Sequence, residues 1–345
     1  MAAVVLAGSP SPALAALAAH YAPTSEVVVL APPRGIHRRD GGGDAPLPGT
    51  RTVRWTDGSG WEAELVGEDV AVVHVPPGAG SLLRRWDEQV VADHVAATAG
   101  AAAALTAAIK AAASATVAAT ESAGSADAPH LSPPSPPRVL VHVGCAVCHY
   151  GSTPRPSPVT EASPAGRGWM CASAVAAEAA AAAASSASTR VVMLRAGVVL
   201  APQWGVLAGG VGIVGRAGGV AVLGGGAQPI SWVGLPALTA AVAAAVGGRG
   251  GGVGVTPSTT PVTGVYNVVG GVARADALGA AVRTAVGWAD GGGWRLQLRE
   301  GVLNWLYGEA SGLATGGVAV STARPPLGRG GGGKGSLVDE LRAVL

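Results

Sequence analysis

The sequence predicts an α/β protein built on a doubly wound parallel sheet, followed by a small helical C-terminal region. Three observations predict it. Val-rich runs at 69–75 and 138–143 have the unbroken apolar character of strands buried on both faces. Ala-rich segments of helix length separate such runs, and strand and helix alternate along most of the chain, as parallel crossover units require. The chain has 345 residues, 49% of them hydrophobic and 13% charged, enough apolar surface to bury one large core and a smaller one.

The elements follow in order. Residues 3–6 and 26–30 are short β-branched runs flanking a helix-length apolar segment at 13–20, which makes a strand–helix–strand unit. Gly-rich 41–49 reads as a surface loop, and 52–55 and 62–66 as minor strands. Residues 69–75 form the next buried strand. Residues 82–118 open with the charged RRWDEQVVADH, turn Ala-rich, and read as one long helix or two. Ser, Ala and Pro dominate 119–137, an insertion that cannot hold regular structure. A strand at 138–143, a helix at 172–185 and a strand at 190–194 come next. Residues 247–254 are a Gly-rich loop expansion, 264–269 a strand, and 294–345 a helical tail. The expected division is a main domain at 1–255 and a small capping domain at 256–345.

Composition excludes several classes. The net charge is +2 and the basic residues are scattered, without the stripe that binding a phosphate backbone demands, so nucleic acid is not an expected partner. Three cysteines at irregular positions argue against a disulfide scaffold and suit a reducing compartment, the chloroplast stroma or the cytoplasm. The apolar opening lacks a basic n-region and reads as a strand, turn and helix, not a signal peptide. The longest apolar stretch, 196–223, is punctuated by Gly and Arg216, so no membrane span is expected. Phe is absent, and Lys occurs only at Lys110 and Lys334. That skew reads as codon bias, which makes Ala-rich runs less informative.

The most informative stretches are TRVVMLRAGVVLAP at 189–202 and GGGAQPISW at 224–232. Together with RRW at 84–86, HYG at 149–151, GVYN at 264–267 and LYGEAS at 306–311, they stand in the order found in atypical short-chain dehydrogenase/reductases of the "epimerase family protein" type. The chain resembles that family, which is similar to nucleotide-sugar epimerases and carries a small C-terminal domain of unknown function. Some plant and algal relatives resemble plastid cell-division inhibitors. The resemblance implies a Rossmann-like fold with NADP or NAD in its cleft.

A dinucleotide fold needs glycines after its first strand, so that backbone amides approach the pyrophosphate at a helix N-terminus. Relatives have a run similar to GGTGFIG; here it is AGSPSPAL. Gly8, Ser9 and Ser11 are the candidates at the phosphates, although Pro10 and Pro12 remove donors and Leu14 adds bulk. Arg34, followed by Arg38 and Arg39, stands where an Arg would meet a 2′-phosphate or form a solvated basic loop. By the resemblance, the Tyr/Lys acid–base pair would fall on Arg167 and Cys171, which cannot perform it. Tyr150 is then the candidate acid, or an aromatic closing the cleft floor. Arg195 and Gln228 are candidates for the substrate, and a WIHIDDL-like block reads SWVGLPAL. Two functions follow: an NAD(P)-dependent epimerase or oxidoreductase, or a catalytically inactive scaffold that binds a protein partner. CAVCH at 145–149 spells a haem-attachment pattern, and also a redox pair or, with Cys171, a zinc site. The bland reading, two small buried cysteines at a strand end, leads, and no metal is expected.

Overall fold

Strands that bury both faces need helices on both sides, and the chain supplies them in alternation. The computed structural model describes residues 3–32, 46–56, 58–77, 85–122, 135–152, 155–201, 207, 210–247, 261–288, 293–325, 327 and 336–345. The first half contains β1 (Ala3–Gly8), α1 (Pro12–Tyr21), β2 (Glu26–Ala31), β3 (Arg51–Arg54), β4 (Val70–Val75), α2 (Glu88–Ser122), β5 (Val139–Cys145), α3 (Ala146–Tyr150), α4 (Trp169–Ala182) and β6 (Arg190–Ala196). The second contains β7 (Val198–Leu200), α5 (Gly210–Arg216), β8 (Val220–Leu223), β9 (Pro229–Gly234), α6 (Leu235–Val246), β10 (Gly264–Val268) and β11 (Gly271–Arg274). It ends with α7 (Ala275–Ala285), β12 (Arg295–Leu298), α8 (Glu300–Tyr307), α9 (Gly312–Thr315) and α10 (Leu337–Arg342).

Among the described residues, seven strands form one sheet in the order β3-β2-β1-β4-β5-β6-β10, every neighbour parallel. The order reverses between β1 and β4, so a crevice opens at the carboxyl ends of these strands. On one face α1 and α6 pack over Leu6, Val141 and Leu194 through Leu17, Leu238 and Val242. On the other, Leu105 and Ile109 of α2 and Ala177 and Ala181 of α4 cover Val5, Val72 and Leu140. Each such large side chain contributes about 1.5–3 kcal/mol by leaving water. By length and composition α2 could cross a membrane, an 18-residue window within 88–118 having a mean hydropathy of 1.5. Its apolar face is instead part of this core.

Beside the large sheet lie the small sheets β11-β9-β7 and β12-β8. Leu200, Val211, Trp232, Leu278, Val282 and Leu341 pack into their shared core. Several local expectations change here. Residues 62–65 belong to a 3₁₀ turn, Trp61–Leu65: Trp61 and Leu65 turn into the core while Ala63 midway between them is exposed, which strand alternation would not give. The tail at 294–345 contains a strand, β12, paired in parallel with β8. Residues 82–118 contribute one helix, not two, and it runs to Ser122, into the expected insertion. Beyond the 255/256 division, β10 is an edge strand of the large sheet.

Candidate functional site

A cavity of about 340 Å³ lies at the crevice. Its walls come from the loop after β1 (Ser9, Pro10, Ser11), the end of β4 (Val75 to Pro77), the end of β5 (Val143 to Cys145) and the β6–β7 connection (Ala196 to Val199). Trp169, Ser173 and Glu178 of α4 close one side, and Leu278, Leu313, Ala314, Gly316 and Gly317 close the other. The lining is mostly apolar with a few polar groups, the usual character of a small-molecule site.

The loop after β1 retains one glycine for a steric reason. A Cβ on Gly8 would stand 2.2 Å from the Val75 carbonyl oxygen, so only glycine lets β1 end against β4 there. Ser11 caps α1, its Oγ accepting the Leu14 N–H at 3.2 Å, and Pro12 occupies the first turn, where a missing N–H costs least. Leu14 is buried in the core between α1 and the sheet. The loop and first turn therefore keep backbone N–H groups at Ser9, Ser11 and Ala13 and lose them at Pro10 and Pro12. Two hydroxyls on the cavity wall, Ser9 Oγ and Ser173 Oγ, are buried with no hydrogen-bond partner among the described residues. Leaving a buried hydroxyl unpaired costs about 1–3 kcal/mol, and a ligand oxygen would satisfy both. Arg34 lies outside the described residues.

Tyr150 and Arg195 come together, but not among the residues that line the cavity. The Tyr150 hydroxyl donates to Asn267 Oδ1 at 2.8 Å and accepts from Arg195 Nη1 at 2.9 Å. Arg195 also makes a bidentate pair with Glu178, Nε to Oε1 at 2.9 Å and Nη2 to Oε2 at 2.7 Å, and His149 Nδ1 lies 3.2 Å from Glu178 Oε1. Burial alone would raise the Glu178 carboxyl, but His149 and Arg195 outweigh it and hold it at about 2. Burial raises the Tyr150 phenol despite the opposing Arg195 hydrogen bond. Arg195 has its guanidinium committed on both sides. Gln228 Nε2 donates to the carbonyls of Leu223 and Ala314 at 2.7 and 2.9 Å. It thereby ties the C-terminal segment beside Pro229 and Ile230, which do line the cavity.

Sequence reasoning missed a buried histidine pair. His74 and His142 stand opposite each other on β4 and β5, Nδ1 to Nδ1 at 3.0 Å. Desolvation pushes both down, His142 to about 4, so both are neutral near pH 7 and one donates to the other. The signal was present as VVHV and VLVHV, but only the strand register brings the rings together. His94, also missed, lines the cavity edge-on to Trp86 and Trp169. Among the described residues no three His, Cys, Asp or Glu side chains are grouped to hold a metal. His149 is packed against Tyr150 and Glu178, away from a haem-ligand role beside Cys145 and Cys148.

No protein-family model matches the chain, and no curated protein matches it in sequence. Solved structures do. A human epimerase family protein, SDR39U1, crystallised with NADPH, is 21% identical with a TM-score of 0.69, over 99% of this chain and 98% of that one. A UDP-glucose 4-epimerase of Thermotoga maritima with UDP-glucose is 12% identical with a TM-score of 0.66, over 99% and 97%. The Bordetella bronchiseptica enzyme WbmG with NAD is 16% identical with a TM-score of 0.61, over 98% and 91%. The chain therefore has the Rossmann-like fold of the short-chain dehydrogenase/reductase epimerases along nearly its whole length.

Proposed function

We propose that the chain binds a nicotinamide dinucleotide, NADP or NAD, in the crevice and is an epimerase-like or oxidoreductase-like protein. The observation that carries this reading is the pair of unsatisfied hydroxyls, Ser9 Oγ and Ser173 Oγ, on the wall of a cavity at the sheet's switch point. The structural neighbours crystallised with NADPH or NAD support it. Ser9, Ser11 and the start of α1 would meet the phosphates, with Gly8 fixing the loop, and Arg34 would favour the 2′-phosphate of NADP. A bound nicotinamide would supply hydride transfer.

A second reading, a catalytically inactive scaffold that binds a protein partner, is favoured by one feature. The Tyr150 phenol is engaged by Arg195 and Asn267, outside the cavity lining. Composition and family resemblance support a location in the plastid stroma or cytoplasm, which immunolocalisation of the native protein tests.

Isothermal titration with NADPH, NADP and NADH tests the binding. Micromolar affinity is expected, with Ser9→Ala and Ser173→Ala each weakening it roughly tenfold, the value of one hydrogen bond, and neither destabilising the free protein. Silence up to millimolar nucleotide would remove this reading and leave the scaffold. If nucleotide binds, substrate screening of the wild type beside Tyr150→Phe decides between turnover and a silent fold.

A further inference from the structure

The nucleotide reading makes no use of Cys145 and Cys148, yet both stand on the cavity wall. β5 ends at Cys145 and the chain turns at once into α3, so two thiols three residues apart share one side of a single turn. Cys145 Sγ accepts the Cys148 N–H at 3.1 Å. Both residues are half-buried and reachable, whereas Cys171 is buried and absent from the cavity lining.

The two thiols also differ in acidity. The Cys148 thiol, with the backbone N–H groups of Cys148 and Val147, hydrogen-bonds Cys145 and holds it below the ordinary thiol range, against the effect of burial. The same hydrogen bond to Cys145, and then burial, push Cys148 up. An attacking thiolate beside a protonated, resolving thiol is the arrangement that disulfide exchange uses.

We propose that Cys145 and Cys148 form a redox-active dithiol in the cleft, which reacts with small disulfides of the glutathione class and closes to an intramolecular disulfide. The Cys145 thiolate attacks one sulfur of glutathione disulfide, forming a mixed disulfide and expelling one glutathione thiolate. Cys148 gives up its proton and attacks Cys145 Sγ, expelling the second. Two cysteine sulfurs are oxidised and two glutathione sulfurs reduced, and the two cysteine protons end on the departing thiols. One helical turn brings i and i+3 close enough for a small rotation to reach the Cβ separation of a disulfide, about 3.5–4.5 Å.

The test needs no nucleotide, so its outcome is independent of the binding reading. The full chain is equilibrated in glutathione buffers from fully reduced to fully oxidised, quenched in acid, alkylated and mapped by mass spectrometry. All three cysteines are expected to alkylate when reduced, and only Cys171 when oxidised, the protein then being lighter by two hydrogens before alkylation. Cys171→Ser should still close the bridge, Cys145→Ser should not, and Cys148→Ser should stop at a glutathione adduct on Cys145. Full alkylation of the oxidised wild type, or a bridge that includes Cys171, overturns the proposal. The wild-type map decides the matter even where circular dichroism shows that a variant has not folded.

Discussion

His74 and His142 share one short contact inside the sheet, where only one of the facing nitrogens can carry a hydrogen. Neither ring accepts a second proton without desolvating a charge. The unfolded chain takes up protons on these rings below the ordinary 6.5, and the folded chain does not until about 4 at His142. Stability is therefore complete above 6.5 and falls as pH drops through 6.5 to 4. Glu178 adds a second stage: its carboxylate is held at about 2 against an ordinary 4.5, so its contribution is present above 4.5 and fades between 4.5 and 2. Thermal midpoints followed by circular dichroism should fall in those two stages. The double variant His74→Leu, His142→Leu should flatten the upper stage and spare the lower; an unchanged upper decline would show that other groups cause it. Residue chemistry was only half legible in the sequence. Ser9 and Ser11 were read from the loop that follows a strand, and the structure puts both on the cavity wall. Arg195 was read as a candidate for the substrate, but alternation sends it with Met193 to the α4 face while its neighbour Ala196 meets the cavity.

At the scale of elements, two blocks more than two hundred residues apart dock on each other. Trp86 N–H donates to the Tyr307 carbonyl at 2.9 Å, and Glu309 N–H donates to the Trp86 carbonyl at 3.0 Å. Gly308 lies between them at φ +60°, and a Cβ there would stand 2.3 Å from the Trp86 oxygen. Gly308→Ala must therefore separate α8 from the start of α2, at a cost of about 1–3 kcal/mol from backbone strain alone. Trp86 stacks on the cavity residue Trp169, ring centroids 5.3 Å apart, so the damage should reach the site. The variant is expected to lose near-ultraviolet dichroism from the stacked indoles and to be cut faster by protease in the tail. An unchanged spectrum would show that the docking does not depend on this glycine. The strands and helices of the large sheet were legible because their apolar runs are long and regular. Docking of the tail was expected from Gly308 and Glu309, but its partner Trp86 was not, since a tertiary backbone contact leaves no period in the sequence, and β12 was missed because RLQL is a short strand with little buried surface.

For the whole molecule, the order of the chain decides whether the two halves are separable. A division at 255/256 looks natural from composition, because a Gly-rich run precedes it. The topology runs otherwise: β10 returns to the large sheet and pairs with β6 from Gly264 to Val268. Asn267 on that strand receives the Tyr150 hydroxyl at 2.8 Å, and its N–H donates to Glu161 Oε1 at 2.9 Å. Further on, Val320 pairs with Val159 and its N–H donates to Ser231 Oγ at 2.9 Å. Residues on both sides of the division thus share buried polar partners, and removing one side leaves the Arg195–Glu178–Tyr150 network short of Asn267 and open to water. A buried hydroxyl left without its acceptor costs about 1–3 kcal/mol, and the edge strand β10 and its packing are lost with it, a large share of the total stability of a domain. A fragment ending at residue 255 should therefore show no cooperative thermal transition and should bind a hydrophobic dye, while the full chain melts in one step. A sharp transition in the fragment would mean that the first 255 residues fold alone, and that the C-terminal region is a cap added to a finished sheet.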